Sequence, residues 1–326
     1  MRYVIIGGSA AAIGCIEGVR SVDKTGEIIL ITGETEWNYS RPLISYLLEG
    51  KTTRDKMWCR PDSFFTRNGV TVKAGVLATA LDAGDRTVRL STGERLAYDR
   101  LLAATGSRPF VPPIPGLETV ERTFCFQTLS DASALAEALR PESRVLILGA
   151  GLTGVKCAEG IRGLCAQIAI ADLAPRVLPA VLDDTAAAMV QARMEEKGVR
   201  FYLNDSAAAF RGNTARLQSG TELEFDVLVT AVGVRPNTQL VADAGGAVDR
   251  GILVDGRCAT TLPDVYAAGD CAQGYDAVSG EKRMLPLWPN AVLQGETAGI
   301  NMAGGRADYT QGIALNASGV FGLHMI

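Results

Sequence analysis

"VLILGAGLTGVKCAEG", residues 145 to 160, is an apolar run that ends in Gly149, Gly151 and Gly154 and passes into a helical pattern. A strand turning into a helix through G-x-G-x-x-G suits a dinucleotide. The first glycine permits the tight bend, the second lets backbone approach a pyrophosphate, and the third lets helix pack on strand. The helix N-terminus, here Leu152 and Thr153, adds amide protons and a favourable dipole. The next apolar run, "AQIAIAD", ends at Asp172, 23 residues after Gly149, where a carboxylate accepts from ribose hydroxyls and repels a 2'-phosphate. The stretch predicts a nicotinamide nucleotide site with NADH preferred over NADPH. Arg176, four residues on, works against that preference without removing it.

A weaker echo, "YVIIGGSAAAIGC", fills residues 3 to 15. It keeps Gly7, puts Ser9 and Ala12 at the second and third glycine positions with Ala10 and Ala11 between them, and is followed by Glu34 at the end of the next strand. Small side chains still allow close approach, and Glu34 stands where a ribose would need an acceptor. A chain of 326 residues has room for two domains.

Composition excludes several other readings. A net charge of -4 without a run of Lys and Arg argues against nucleic acid. No apolar stretch is long enough to span a bilayer, so no membrane partner is expected. Seven cysteines without a CxxC pair suit thiols in a reducing, cytoplasmic compartment. The single histidine, His324, leaves neither a histidine triad nor a multi-histidine metal site, and no metal is expected.

The fold class that follows is α/β, with two Rossmann-like three-layer domains. "RYVIIGG" and "EIILITG" are strands around an Ala-rich helix; "NYSRPLISYLLEGK" (38 to 51) reads as a turn into a short helix. Residues 70 to 102 alternate like antiparallel strands, with turns at Asp82 to Asp85 and Ser91 to Glu94. "SRPFVPPIPG" (107 to 116), with four prolines, reads as a linker. "DDTAAAMVQARMEEKGVRFYLN" (183 to 204) reads as helix then strand. The strand in "VYAAGD" has no glycine turn of its own and is expected to complete the first sheet, so the middle domain is an insertion. The boundaries read 1–112, 113–244 and 245–326, with the nicotinamide nucleotide domain in the middle.

Five segments, "VIIGGSAAAIG", "LLAATGSRP", "VLILGAGLTGVKCAE", "LVTAVGVRPN" and "VYAAGDCA", resemble those of the pyridine nucleotide disulfide oxidoreductases, glutathione-reductase-like flavoproteins with two dinucleotide domains. The resemblance spans nearly the whole chain. It implies FAD in the first domain and NADH in the inserted one. Asp270 would contact the ribityl and pyrophosphate portion of FAD, and Gly7, Ser9, Ala10, Ala11 and Glu34 its adenosine diphosphate. Val76, the "ATG" of Ala104, Thr105 and Gly106, and the turn at Arg41 and Pro42 would also line FAD. Gly233 belongs with the nicotinamide nucleotide. "LPLWPNAVLQGETAGINMAGG" (285 to 305) is similar to the family helix facing the flavin pyrimidine ring, which would bring Trp288, Pro289 and Ala291 to the isoalloxazine; a core aromatic is the other reading of Trp288.

Within the family, "NYSRPLIS" is similar to rubredoxin reductases, ferredoxin reductases and the flavoprotein part of NADH-dependent nitrite reductases. Disulfide reductases carry CxxxxC there, and single-cysteine NADH oxidases, peroxidases and coenzyme A disulfide reductases carry one Cys near Pro42. This chain has neither. In many relatives a glutamate two residues after the third glycine pairs with a lysine beside flavin N5; here the two places hold Lys156 and Tyr46. By resemblance Lys156 would present a cation that favours an anionic reduced ring, with a solvated helix lysine as the alternative, and Arg41 would be a second cation near flavin or phosphate.

The implied activity passes electrons from NADH through FAD to a small electron-carrier protein such as rubredoxin, ferredoxin or another iron-sulfur protein. NADH oxidase chemistry yielding peroxide, or a non-enzymatic nucleotide-dependent redox sensor, are the alternatives. Family members continue for roughly a hundred residues into an interface domain that often dimerises. This chain ends at Ile326, where that domain would begin, so a dimer is expected only with it.

Overall fold

The computed structural model describes residues 1–326, which divide into two compact units. The first comprises Met1–Ser40, Trp58–Ser107 and Pro236–Asn316; the second comprises Arg41–Met57, Arg108–Arg235 and Ala317–Ile326. Relative to the boundaries read from sequence, Arg41–Met57 and Ala317–Ile326 group with the second unit rather than with the flanking segments of the first. Both are short pieces that pack against residues more than a hundred positions away, Tyr46 against Lys156 and Phe321 against Glu159, which chain order does not reveal.

The first unit is built on a five-stranded parallel sheet in the order Val265–Ala267, Arg100–Ala103, Arg2–Ile6, Glu27–Thr32, Val70–Ala74. The strand of "VYAAGD" thus returns to the first sheet, as its missing glycine turn requires. The antiparallel reading of residues 70 to 102 holds only for the meander Ala78–Asp82, Thr87–Leu90 and Arg95–Ala97. Val70–Ala74 and Arg100–Ala103 instead join the parallel sheet. Arg100–Ala103 has the nearly continuous burial of a strand covered on both faces; Val70–Ala74 is an edge strand, whose half-exposed alternation resembles that of a meander.

The helix Ala10–Val22 crosses the helix Trp288–Met302 at backbone contact. An added Cβ at Gly14 or Gly18 would lie 2.1 Å or 2.2 Å from a carbonyl oxygen of the other helix, and one at Gly295 or Gly299 would meet the first helix equally closely. This crossing carries the N-terminus of the later helix toward the first glycine turn.

The second unit repeats the plan: Val199–Leu203, Gln167–Asp172, Arg144–Leu148, Val227–Thr230 and Thr123–Phe124 form a parallel sheet. In both sheets the strand entering the glycine turn is central, with its successor on one side and the strand order reversing on the other. Ligands of such sheets sit beyond the carboxyl ends at that reversal. No helix is long and apolar enough to cross a membrane.

Candidate dinucleotide sites

In the second unit Gly149 has φ +109° and an added Cβ would lie 2.4 Å from the Ala231 oxygen; at Gly154 it would lie 2.0 Å from the Gly149 oxygen. Those two glycines are required by the turn itself. Gly151 is different: its φ is −75° and an added Cβ would meet nothing within 4 Å. Gly151 is the N-cap of the helix Leu152–Ile161, where Gly is favoured over Ala or Val, and its missing side chain also leaves the backbone open to a pyrophosphate. Gly233, at φ +119°, also opens onto empty space.

Helix caps divide the longer helices into two groups. Among the helices of ten residues or more, Leu129–Ala138 is closed by a Thr128–Asp131 capping box and Asp184–Glu196 by Asp183, whose side chain accepts from Ala186 N at 2.8 Å. The other three, Ala10–Val22, Leu152–Ile161 and Trp288–Met302, have no side-chain cap and no acid in the first turn. The first amides of a helix need acceptors, and an anionic group at the N-terminus supplies them. These three are the helices that follow the two glycine turns and begin at Trp288.

Asp172 closes the second turn from below. Its carboxylate accepts from Ala150 N at 2.5 Å and from Ala174 N at 2.7 Å, so the acid named for the ribose also fixes the loop that would hold the pyrophosphate. The guanidinium of Arg176 is engaged by Asp184 at 3.0 Å and by the Leu182 carbonyl at 3.3 Å. Nothing leaves it directed at a 2'-phosphate.

In the first unit Gly7 has φ +117°, and an added Cβ would stand 2.0 Å from the Ala104 oxygen. The buried Ala10, Ala11 and Ala12 follow it. Glu34 accepts from the Tyr39 hydroxyl at 2.7 Å, a partner not foreseen from the sequence. Gly269 lies between Ala11 and Ala291, whose Cβ atoms are 3.3 Å and 3.6 Å from its own would-be Cβ. The first glycine turn, "VYAAGD" and the Trp288 helix therefore converge at Asp270, which accepts from Ser107 Oγ at 3.2 Å. Thr105 donates to the Asn237 carbonyl at 2.6 Å, Gly106 turns at φ +64°, and Val76 N bonds the Thr32 carbonyl at 3.0 Å. Trp288 is 37% exposed and Pro289 is exposed, so Trp288 is not a core aromatic.

Lys156 and Tyr46 do meet, within the second unit: the ammonium stands 4.2 Å from the centre of the Tyr46 ring. Lys156 is also ion-paired with Glu159 one turn along the same helix, a partner the expected role for the cation did not include. Sequence reading missed Glu159; its i,i+3 spacing from Lys156 was the available signal. Arg41, also in this unit, donates to the Gln127 carbonyl at 3.2 Å, and Pro42 beside it is exposed.

Residues 1–295 match the family model described as pyridine nucleotide-disulphide oxidoreductase. The chain belongs to that family. The epsilon subunit of the NADH-dependent phenylglyoxylate dehydrogenase of Aromatoleum evansii is 34% identical over all of this chain and 78% of its own length. The rubredoxin-NAD(+) reductase of Pseudomonas putida is 29% identical over 93% of this chain and 80% of its own. Among solved structures, the covalent putidaredoxin reductase-putidaredoxin complex superposes with a TM-score of 0.87 at 26% identity, covering 94% of this chain and 76% of that one. As a pyridine nucleotide-disulphide oxidoreductase, the chain is an FAD-dependent NADH oxidoreductase. The disulfide of the family name has no counterpart, since all seven thiols are free.

Proposed function

We propose that this protein takes electrons from NADH and delivers them, by way of FAD, to a small electron carrier of the rubredoxin or ferredoxin kind. The observation that carries the reading is the set of three uncapped helix N-termini, two of them following glycine turns, together with Gly151, whose missing side chain leaves the backbone open to a pyrophosphate. The names of the relatives support the acceptor class, giving rubredoxin and putidaredoxin as redox partners.

On this reading Gly149 to Gly154 hold the NADH pyrophosphate on backbone amides, Asp172 orients the ribose, and Gly233 leaves room for the nicotinamide half. The engaged guanidinium of Arg176 and the carboxylate of Asp172 together favour NADH over NADPH, since a 2'-phosphate would meet a negative charge and no available cation. Gly7, Ser9 and Glu34 hold the adenosine end of FAD, Asp270 its ribityl chain, and the Trp288 helix N-terminus stabilises negative charge on the ring. Arg41, Pro42, Val76 and Thr105 are further contacts. FAD, when bound, supplies a hydride acceptor that can release electrons singly. The protein contributes position and field. Seven free thiols suit a reducing cytoplasm.

Rapid-mixing experiments with the FAD-loaded protein test this. NADH is expected to bleach the flavin band far faster than NADPH, and the reduced protein to pass electrons to rubredoxin or a ferredoxin faster than to oxygen. Oxygen consumption that outpaces every carrier would instead favour an oxidase.

A further inference from the structure

The chain's last ten residues follow directly on the first unit yet belong to the second. They form a hairpin, Ser318–Val320 against Leu323–Met325, turning at Phe321 and Gly322. Three polar contacts hold its turn. Lys156 Nζ donates to the Gly319 carbonyl at 2.9 Å, Phe321 N donates to Glu159 Oε1 at 2.6 Å, and Arg193 Nε donates to the Phe321 carbonyl at 3.1 Å. The side chains of Lys156 and Glu159 are only 12% and 4% exposed, and they are ion-paired with each other.

We infer that Lys156 and Glu159 form a positioning pair that clamps the C-terminal hairpin to the helix of the nicotinamide nucleotide turn, with Tyr46 packed beneath the ammonium. The chemistry of the pair supports this. A carboxylate and an ammonium that neutralise each other present a short dipole rather than a net charge, and its field fades quickly with distance. Each member also makes one hydrogen bond to hairpin backbone, so undocking the hairpin costs the pair two contacts while the ion pair itself persists. Buried pairs of this kind add little net stability, but removing one partner strands a charge and is strongly destabilising. The clamp therefore holds Gly319 to Phe321 through these two hydrogen bonds. It rests on the proposed function only where the flavin is measured.

Hydrogen exchange on the full chain, followed by mass spectrometry of the 317–326 segment, tests the clamp. In Glu159→Gln and Lys156→Met the segment is expected to exchange roughly a hundredfold to a few thousandfold faster, the scale of a broken buried pair. Lys156→Arg, which keeps charge and reach, is expected to retain protection. If the single variants do not fold, the doubly neutral Lys156→Met, Glu159→Leu keeps the test open: it leaves no buried charge, and its segment should still exchange faster because Phe321 N has lost its acceptor. The flavin midpoint potential of FAD-loaded Lys156→Met, Glu159→Leu should match the parent. Unchanged exchange in the variants that fold, or a shifted potential with an intact hairpin, would overturn the inference. Failure to take up FAD at all would remove the flavin reading and leave the exchange result standing.

Discussion

Asp23 shows how a single carboxylate is committed by the fold. It accepts from Thr25 N and Gly26 N, both at 2.9 Å, and from the Tyr3 hydroxyl at 2.8 Å. The two amides first, and then the phenol, hold its pKa well below the usual carboxylate range. A depressed pKa gives stability that is complete above the unfolded value of about 3.9 and is lost as pH falls through the native value. Asp23→Ala should therefore melt earlier than the parent at neutral pH, by about 1–3 kcal/mol of lost hydrogen bonding. The gap should close in strong acid, as followed by thermal unfolding across pH. The thiols make a second residue-scale prediction. Burial pushes Cys165 up to about 11 and Cys258 up to about 12, and Cys15, Cys157 and Cys271 are raised by the same cause. A thiol reagent at mild alkaline pH should label only the half-buried Cys59 and Cys125 in the native protein. NADH-driven carrier reduction should survive that labelling. Rapid modification of all seven would mean that the core is not packed as described.

At the scale of the element, two glycines of one turn serve different masters. Gly154 is needed by the turn, where a methyl group would collide with the Gly149 oxygen, while Gly151 faces open space. Gly154→Ala should lower the melting temperature of the protein, with a penalty of about 1–3 kcal/mol from overpacking. Gly151→Ser, whose side chain an N-cap accepts, should leave the circular dichroism melt nearly unchanged and raise the KM for NADH by roughly tenfold or more, because the steric cost falls on the ligand instead. Equal effects of the two substitutions on stability would contradict the distinction. The helix caps follow the same logic. Where the chain has its own acceptor, as at Asp183, the helix start is closed; where it has none, the proposed pyrophosphate would supply the acceptors.

For the whole molecule, the paired units predict linked stabilisation by two ligands. FAD at a hundredfold excess over its dissociation constant should stabilise by about 2.7 kcal/mol, if it binds only the folded chain. NADH should act in the same way, and NADPH less so. Scanning fluorimetry with each ligand measures this directly. Asp172→Ala should abolish the difference between NADH and NADPH by weakening NADH roughly tenfold or more, the scale of a lost charged hydrogen bond. A preparation whose melting temperature is indifferent to both dinucleotides would contradict the paired-site reading.

Gly149, Gly151 and Gly154 before Asp172, and Gly7 before Glu34, were legible as two strand-to-helix turns because their spacing is set by local backbone geometry. The return of "VYAAGD" to the first sheet was legible for a related reason: a strand without a helix of its own must complete a sheet begun elsewhere. Lys156 was visible only as a departure, and its partner Glu159 was overlooked because the meaning of that carboxylate depends on Phe321, 162 residues away. Likewise the Gly14–Gly18 and Gly295–Gly299 spacings are present in the chain, but only folding decides that they face each other. Periodicity within one element is written into the sequence. Contacts between distant segments are decided by packing, which is why the charge on Lys156, the grouping of Arg41–Met57 and the docking of the C-terminal hairpin had to await the tertiary structure.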